Sequence, residues 1–217
     1  GESGTVSQVR CAKDAVYVTG IEHVSSQIQE VRLQDNQWQG RLLPWGENDV
    51  ISISSSDSSS NDLLLARDGF LQPSSLYYVN FFEEVDEKLQ STPARFNTDG
   101  LTVEKHFAIS RDKTEVPYFI VYRKGMKLDH TAPVLQYGYG GFEISILPHY
   151  SPVMGKLWLE KGGVYVLANI RGGGEYGPRW HDSALLEHRQ RAYDDFFAVA
   201  EAVQSKGFSS PKHYGTQ

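Results

Sequence analysis

The chain has 217 residues, of which 40% are hydrophobic, and its formal net charge at pH 7 is −6. Such a composition suits a globular protein with one or two hydrophobic cores, and the acidic balance argues against nucleic acid as a partner, because phosphates are neutralised by basic patches. Cys11 is the only cysteine, which precludes an intrachain disulfide, and no apolar stretch reaches the roughly 18 residues of a membrane span, so we expect a cytoplasmic protein that does not enter a membrane.

The first 93 residues predict β structure. Short apolar or alternating runs indicate strands at 14–23, 26–35, 61–70 and 74–83. The first pair of strands repeats in the second pair with an offset of 47 residues, from Val16 to Leu63. That period suits one four-stranded propeller blade per repeat, whereas two unrelated β-meanders are the alternative. The serine-rich tract at 52–62 is expected to be a flexible loop, since its composition buries little apolar surface.

From residue 94 onward the pattern changes to alternating strands and helices. Strands are predicted at 103–110, 116–125, 132–139, 163–170 and 212–217, and helices at 149–163 and 189–207. The second helix is expected to bury the face formed by Tyr193, Phe196, Phe197, Ala200 and Val203. This order of elements favours an α/β domain with a mostly parallel sheet covered by helices, following a partial β-propeller at 1–93.

Two glycine clusters each follow a predicted buried strand. Gly138, Gly140 and Gly141 follow one strand and Gly172–Gly174 the next, which places both at the carboxyl edge of the sheet, where ligands bind. Neither cluster has the spacing of a dinucleotide or phosphate loop. We expect the second cluster to be a tight turn closed by an ion pair between Arg171 and Glu175. In an α/β-hydrolase, the loop after the third strand helps to form the oxyanion hole, and the first cluster occupies that position.

Three segments carry a resemblance to a known family. They are LQYGYGGFEISILPHYSP at 135–152, VLANIRGGGEYGPRWHD at 166–182 and RAYDDFFAVAEAV at 191–203. Together they resemble the prolyl oligopeptidase family of serine peptidases, in its proline-specific endopeptidase branch. The resemblance implies that 1–93 are the last blades of a β-propeller, about two of them, and that 94–217 are the N-terminal half of an α/β-hydrolase catalytic domain.

The same resemblance implies a function and two site residues. Members cleave short peptides on the carboxyl side of proline through an acyl-enzyme, so the expected partners are proline-containing peptides and the remaining catalytic and propeller segments of the parent protein. The family motif gives Tyr139 the role of hydroxyl donor to the oxyanion. It makes Phe142 part of the apolar pocket for the proline ring. Ordinary core aromatics are the alternative for both residues.

The expected nucleophile is not recognisable in the sequence. Ser3 and Ser209 both lack the second glycine of a Gly-x-Ser-x-Gly elbow, and the resemblance implies that the serine, aspartate and histidine of the triad lie beyond residue 217. We therefore expect this polypeptide to be inactive by itself. His149 and His181, on or near the crevice loops, are the two histidines to consider as substitute bases.

No metal or cofactor is expected, because no two histidines have the spacing of a zinc site. Two other functions stay open: a related hydrolase such as an oligopeptidase B or acyl-peptide hydrolase, and a non-catalytic binding module.

Overall fold

The computed structural model describes residues 4–46 and 48–217. The chain divides into two compact units, and each is described by itself. The first unit extends to Pro93 and includes the short segment Leu147–Tyr150, whereas the second comprises Ala94–Ile146 and Ser151–Gln217.

The first unit consists of two four-stranded antiparallel sheets, in each of which the strands follow chain order. The first sheet contains β1 (Gly4–Cys11), β2 (Val16–Glu22), β3 (Ser25–Gln34) and β4 (Gln37–Leu42). The second contains β5 (Asp49–Ser56), β6 (Leu63–Gly69), β7 (Ser75–Asn80) and β8 (Val85–Ser91). Tight turns join the strands: Asp35 and Asn36, between β3 and β4, both have positive φ, at 48° and 60°, as a two-residue hairpin of this hand requires. Each sheet is therefore a propeller-like blade.

One hydrophobic core lies within this unit. It includes Tyr17 and Ile28 from the first sheet and Ile53, Leu65 and Tyr77 from the second. These side chains alternate along their strands with less buried ones, which is the period-two pattern that predicted β2, β3, β6 and β7. The prediction of these strands is confirmed.

The serine-rich tract corrects one expectation. Its first residues, predicted as loop, lie in β5, where Ile51 and Ile53 are buried in alternation with serines. An edge strand needs only its inward positions to be apolar, so the serine content misled the prediction. The edge strands β1, β4 and β8 were also missed, because their exposed side chains carry little hydrophobic pattern.

The second unit is built on a five-stranded mixed sheet in the order β13, β11, β12, β10, β9. Its strands are β9 (Leu101–Ile109), β10 (Glu115–Arg123), β11 (Val134–Tyr137), β12 (Val164–Ala168) and β13 (Tyr214–Thr216). β11 pairs in parallel with both β12 and β13, while β10 is antiparallel to β9 and β12. All five residues of β12 are buried, as the continuous apolar run predicted. The expected α/β fold is confirmed.

The helix predicted at 149–163 is shorter and interrupted. It forms α1 (Pro152–Leu157) and a 3-10 turn (Leu159–Lys161) that ends at Gly162. Ser151 begins α1, since its hydroxyl accepts a hydrogen bond from the amide of Met154 at 3.3 Å. A further short helix, α2 (Pro178–Asp182), was not predicted.

The long helix α3 (Gln190–Ser205) buries only part of the face expected: Val203 is buried and Phe196 packs against the core. Its buried residues are Ala192, Asp195, Ala198, Val199 and Val203. Tyr193 and Phe197 are 51% and 57% exposed, so the prediction that they face the core is wrong. Small side chains let α3 approach the sheet closely, and the buried Asp195 hides this stripe from a hydrophobic pattern because it is charged. None of the helices formed by the described residues is long and apolar enough to span a bilayer.

Candidate active site

Two loops meet at the carboxyl edge of the parallel strands. The first, at 138–146, follows β11, and the second, at 169–177, follows β12. Gly140 and Gly172 lie where the loops touch, with φ angles of 57° and 98°. A Cβ atom on Gly140 would lie 2.7 Å from the carbonyl oxygen of Arg171, and one on Gly172 would clash with the carbonyl oxygen of Gly140. The two loops can therefore pack this closely only with glycine at both positions.

The first loop presents two aromatic rings. Tyr139 is 39% exposed and Phe142 is 81% exposed, so neither ring is packed in the interior of its unit. Phe142 and Glu143 have φ angles of 53° and 56°, the left-handed region that side-chain-bearing residues seldom occupy. Such a backbone persists only where surrounding contacts hold it, and it places Phe142 at the apex of a turn.

The second loop supplies those contacts. The amide of Glu143 donates to the carbonyl oxygen of Gly172 at 3.2 Å. The Nδ1 atom of His181, in α2, lies 2.7 Å from the same oxygen and 3.0 Å from the amide nitrogen of Glu143. With a proton on Nδ1, His181 donates to the carbonyl oxygen of Gly172 across the shorter contact, and the Glu143 amide donates to the same oxygen. Arg189 donates from Nη1 to the carbonyl oxygen of Gly140. His181 and Arg189 thus fix the turn from two sides.

A buried ionic cluster supports the second loop. Arg171 donates to Asp195 through Nε at 2.8 Å and Nη2 at 2.6 Å, and to Asp112 through Nη1 at 2.6 Å. Ser110 donates to Asp195 at 2.6 Å. The predicted ion pair between Arg171 and Glu175 is therefore wrong. Hydrogen bonding to Arg171 lowers the pKa of Asp112 well below its usual range. This cluster ties the start of the second loop to α3 and to the β9–β10 turn.

Glu175 has a different environment. It is 2% exposed, and its Oε1 atom accepts hydrogen bonds from the amide of Ile146 at 3.0 Å and from Nδ2 of Asn169 at 3.2 Å. Asn169 also donates from Nδ2 to the carbonyl oxygen of Ile146 at 2.6 Å. Burial raises the pKa of the Glu175 carboxyl above its usual 4.5. The carboxyl group thus contacts the C-terminal end of the loop that carries Tyr139 and Phe142, at Ile146.

The other candidate residues have structural contacts. Ser209 is buried and donates its hydroxyl to the carbonyl oxygen of Ala132 at 2.7 Å, so it is not available as a nucleophile. Ser3 lies outside the described residues. His149 is exposed, belongs to the first unit, and has Nδ1 3.4 Å from the carbonyl oxygen of Leu147. Of the two histidines considered as bases, His181 alone contacts the crevice loops described above.

Comparison with known proteins supports the family resemblance that the residues of these loops carry. Residues 148–217 match the sequence profile of the prolyl oligopeptidase family. The chain is 35% identical over 157 residues to a prolyl endopeptidase of Elizabethkingia meningoseptica, across 72% of this chain and 22% of that protein. The chain belongs to the prolyl oligopeptidase family. It is also 45% identical over 214 residues to an uncharacterized peptidase of Sinorhizobium fredii, across 99% of this chain and 30% of that protein.

The fold is that of prolyl oligopeptidases as well. The chain superimposes on a post-proline cleaving enzyme from Rickettsia typhi with a TM-score of 0.83 and 31% identity. The superposition covers 100% of this chain and 31% of the Rickettsia enzyme. The chain thus spans about a third, or less, of the length of the prolyl oligopeptidases that it matches.

Sequence reasoning identified the aromatic pair of this prolyl oligopeptidase loop but missed the side chains that hold it. The sequence prediction paired Arg171 with its near neighbour Glu175, because the actual partners, Asp112 and Asp195, are distant in sequence. Glu175 carried no signal other than its neighbouring glycines. Of the side chains that hold the loop, His181 could be found from the sequence, since it was predicted to lie near the crevice.

Proposed function

We propose that the chain is part of a serine endopeptidase that hydrolyses short peptides on the carboxyl side of proline through an acyl-enzyme. One observation carries the proposal: the Tyr139 and Phe142 rings are exposed on one tightly held loop at the carboxyl edge of parallel strands. Two relatives of this family are named for the same specificity, as a prolyl endopeptidase and a post-proline cleaving enzyme.

In this proposal Tyr139 stabilises the tetrahedral intermediate. Attack on the scissile carbonyl places negative charge on its oxygen, and the phenolic hydroxyl donates a hydrogen bond to that charge. A donor oriented in advance lowers the barrier because the site does not have to reorganise during the reaction. The glycines on both sides of Tyr139 let its loop pack closely against the rest of the chain, since a Cβ atom on Gly138 would lie 3.0 Å from the Phe196 ring and one on Gly140 2.7 Å from the carbonyl oxygen of Arg171.

Phe142 is proposed to bind the proline side chain. The pyrrolidine ring is apolar and its nitrogen has no N–H, so it gains most from an apolar wall that asks for no hydrogen bond. With 81% of its surface free in this chain, the Phe142 ring has the accessible face that such contact requires. The left-handed turn at Phe142 and Glu143 sets the direction of that ring.

The nucleophilic serine, the aspartate and the histidine are proposed to lie in the parent protein outside residues 1–217. A fluorophosphonate probe tests this assignment. We expect the 217-residue chain to stay unlabelled and the intact parent protein to be labelled at one serine. Stoichiometric labelling of a serine within this chain would contradict the proposal.

Two alternatives are separated by one substrate panel. An oligopeptidase B or acyl-peptide hydrolase would share the fold but would prefer basic or N-acylated substrates, whereas a binding module would hydrolyse none. The YGYGGF motif at 137–142 favours the proline specificity. We expect the intact protein to cleave a Gly-Pro reporter in preference to an Arg reporter, and the reverse preference would identify the first alternative.

A further inference from the structure

The far end of the aromatic loop is held through both backbone groups of a single residue. The amide of Ile146 donates to Glu175 at 3.0 Å, and its carbonyl oxygen accepts from Asn169 at 2.6 Å. Asn169 is itself fixed to the sheet, because its backbone amide donates to the carbonyl oxygen of Pro117 at 3.0 Å. We call Glu175 and Asn169, with these bonds to Ile146, the Glu175–Asn169 latch.

The latch is buried and incompletely satisfied. Asn169 is 1% exposed, and Glu175 is almost as inaccessible. Across residues 4–46 and 48–217, neither Oδ1 of Asn169 nor Oε2 of Glu175 has a hydrogen-bond partner. The two side chains are fixed by their hydrogen bonds to Ile146 and to each other.

We propose that the Glu175–Asn169 latch positions the loop that carries Tyr139 and Phe142. The catalytic part of this inference rests on the function proposed above. Glu175 acts through Ile146 and the loop, so it is a positioning residue and does not touch the reacting atoms.

The latch is held by hydrogen bonds and not by an ion pair. The nearest cation in sequence, Arg171, donates its hydrogen bonds to Asp112 and Asp195, and no cation forms an ion pair with Glu175 in the part of the chain that the structure describes. The Ile146 amide and the Asn169 side chain both donate to the Glu175 carboxyl and favour its ionised form, which opposes the rise in pKa that burial causes.

Amide hydrogen exchange at Ile146 in the intact protein tests the latch without reference to catalysis. After correction for the intrinsic rate, we expect the protection factor of this amide to fall at least about tenfold in Glu175→Ala, since one well-made hydrogen bond is lost. In Glu175→Gln, which keeps the shape and an acceptor oxygen, most of the protection should remain.

Glu30→Ala is the matched control. Glu30 is also a fully buried glutamate, but it lies in the first unit and accepts from Tyr17 at 3.1 Å and from Arg32 at 2.7 Å. This variant should leave the exchange of Ile146 unchanged. Protection at Ile146 that is equal in the wild type and in Glu175→Ala would overturn the latch.

A kinetic measurement separates the latch from the proposed function. On a Gly-Pro reporter, Glu175→Ala should lower kcat, and Glu175→Gln, which keeps an acceptor oxygen for the Ile146 amide, should recover most of it. Equal kcat values in the wild type and in Glu175→Ala would overturn the positioning role. If the exchange results are as expected but the intact wild type hydrolyses no reporter, the proposed function fails and the latch stands.

Discussion

Replacement of Asp195 by asparagine is the sharpest test of how the second loop is held. Asp195 accepts hydrogen bonds from the amide of Arg171 at 3.0 Å, from its Nε and Nη2 atoms, and from Ser110. Asparagine preserves the volume of the side chain, so no cavity forms. It removes the negative charge, however, and leaves the buried Arg171 guanidinium with Asp112 as its remaining ionic partner.

The magnitude follows from burial. Removing one member of a buried ion pair costs about 3–5 kcal/mol, because the other charge stays in a medium of low polarity. A domain has about 5–15 kcal/mol of stability, so the variant should lose a large fraction of it. Asp112 pairs with the same Arg171, but 42% of its side chain is exposed. Water replaces much of that interaction, and Asp112→Asn should cost about 1 kcal/mol or less.

Urea unfolding followed by far-ultraviolet circular dichroism measures both variants. The midpoint should fall much further for Asp195→Asn than for Asp112→Asn, with unchanged slopes. The double variant Arg171→Met with Asp195→Leu should recover much of the loss, since an apolar pair of similar volume replaces the charges. Equal losses in Asp195→Asn and Asp112→Asn would refute the argument from burial.

Three further predictions concern the loop and the acid limb of stability. Tyr139→Phe in the intact protein should lower kcat for a Gly-Pro reporter about 10²–10³-fold while leaving KM nearly unchanged, because the hydroxyl acts in the transition state. Steady-state kinetics measure this effect, with Tyr193→Phe on the exposed side of α3 as the control. An unchanged kcat would remove Tyr139 from the mechanism. Phe142→Ala should raise KM for the same reporter with little change in the melting temperature, since the ring is exposed, and a loss of stability without a change in KM would assign it a structural role. Asp112, whose pKa is lowered by Arg171, stabilises the fold above its usual pKa of 3.8 and loses that effect as the pH falls. In an acid titration, the stability of Asp112→Asn should therefore decline less steeply below about pH 4 than that of the wild type. An unaltered decline in stability would contradict the lowered pKa.

The sequence predicted those elements whose hydrophobic pattern is set by two-sided or alternating burial. The buried run Val164–Ala168 and the alternating strands of the blades belong to this class. The sequence prediction failed where a buried residue is charged or where a strand lies at the edge of a sheet. Asp195 lies on the buried side of α3, so a search for an apolar stripe placed the buried face partly wrongly and assigned Phe197 to the core.

The candidate site divides in the same way. Tyr139 and Phe142 could be proposed as site residues because a short local motif carries them, and their roles stay a prediction. The contacts of their loop with Glu175, His181 and Arg189 depend on how two loops fold against each other across 29 to 49 residues of sequence. No local pattern encodes such pairings, and a single sequence offers several equally plausible partners for each charge.

At the left-handed turn, the residue that would be most stable at position 142 differs from the phenylalanine that the proposed function requires. A glycine at this position would adopt the observed φ of 53° without steric cost, and relief of such a conformation is worth about 1 kcal/mol. Selection for thermal stability alone would therefore favour glycine there and discard the ring. At Glu143, where φ is 56° and no role is assigned to the side chain, the same exchange gives that gain freely. Engineering for robustness should begin at the second position and avoid the first.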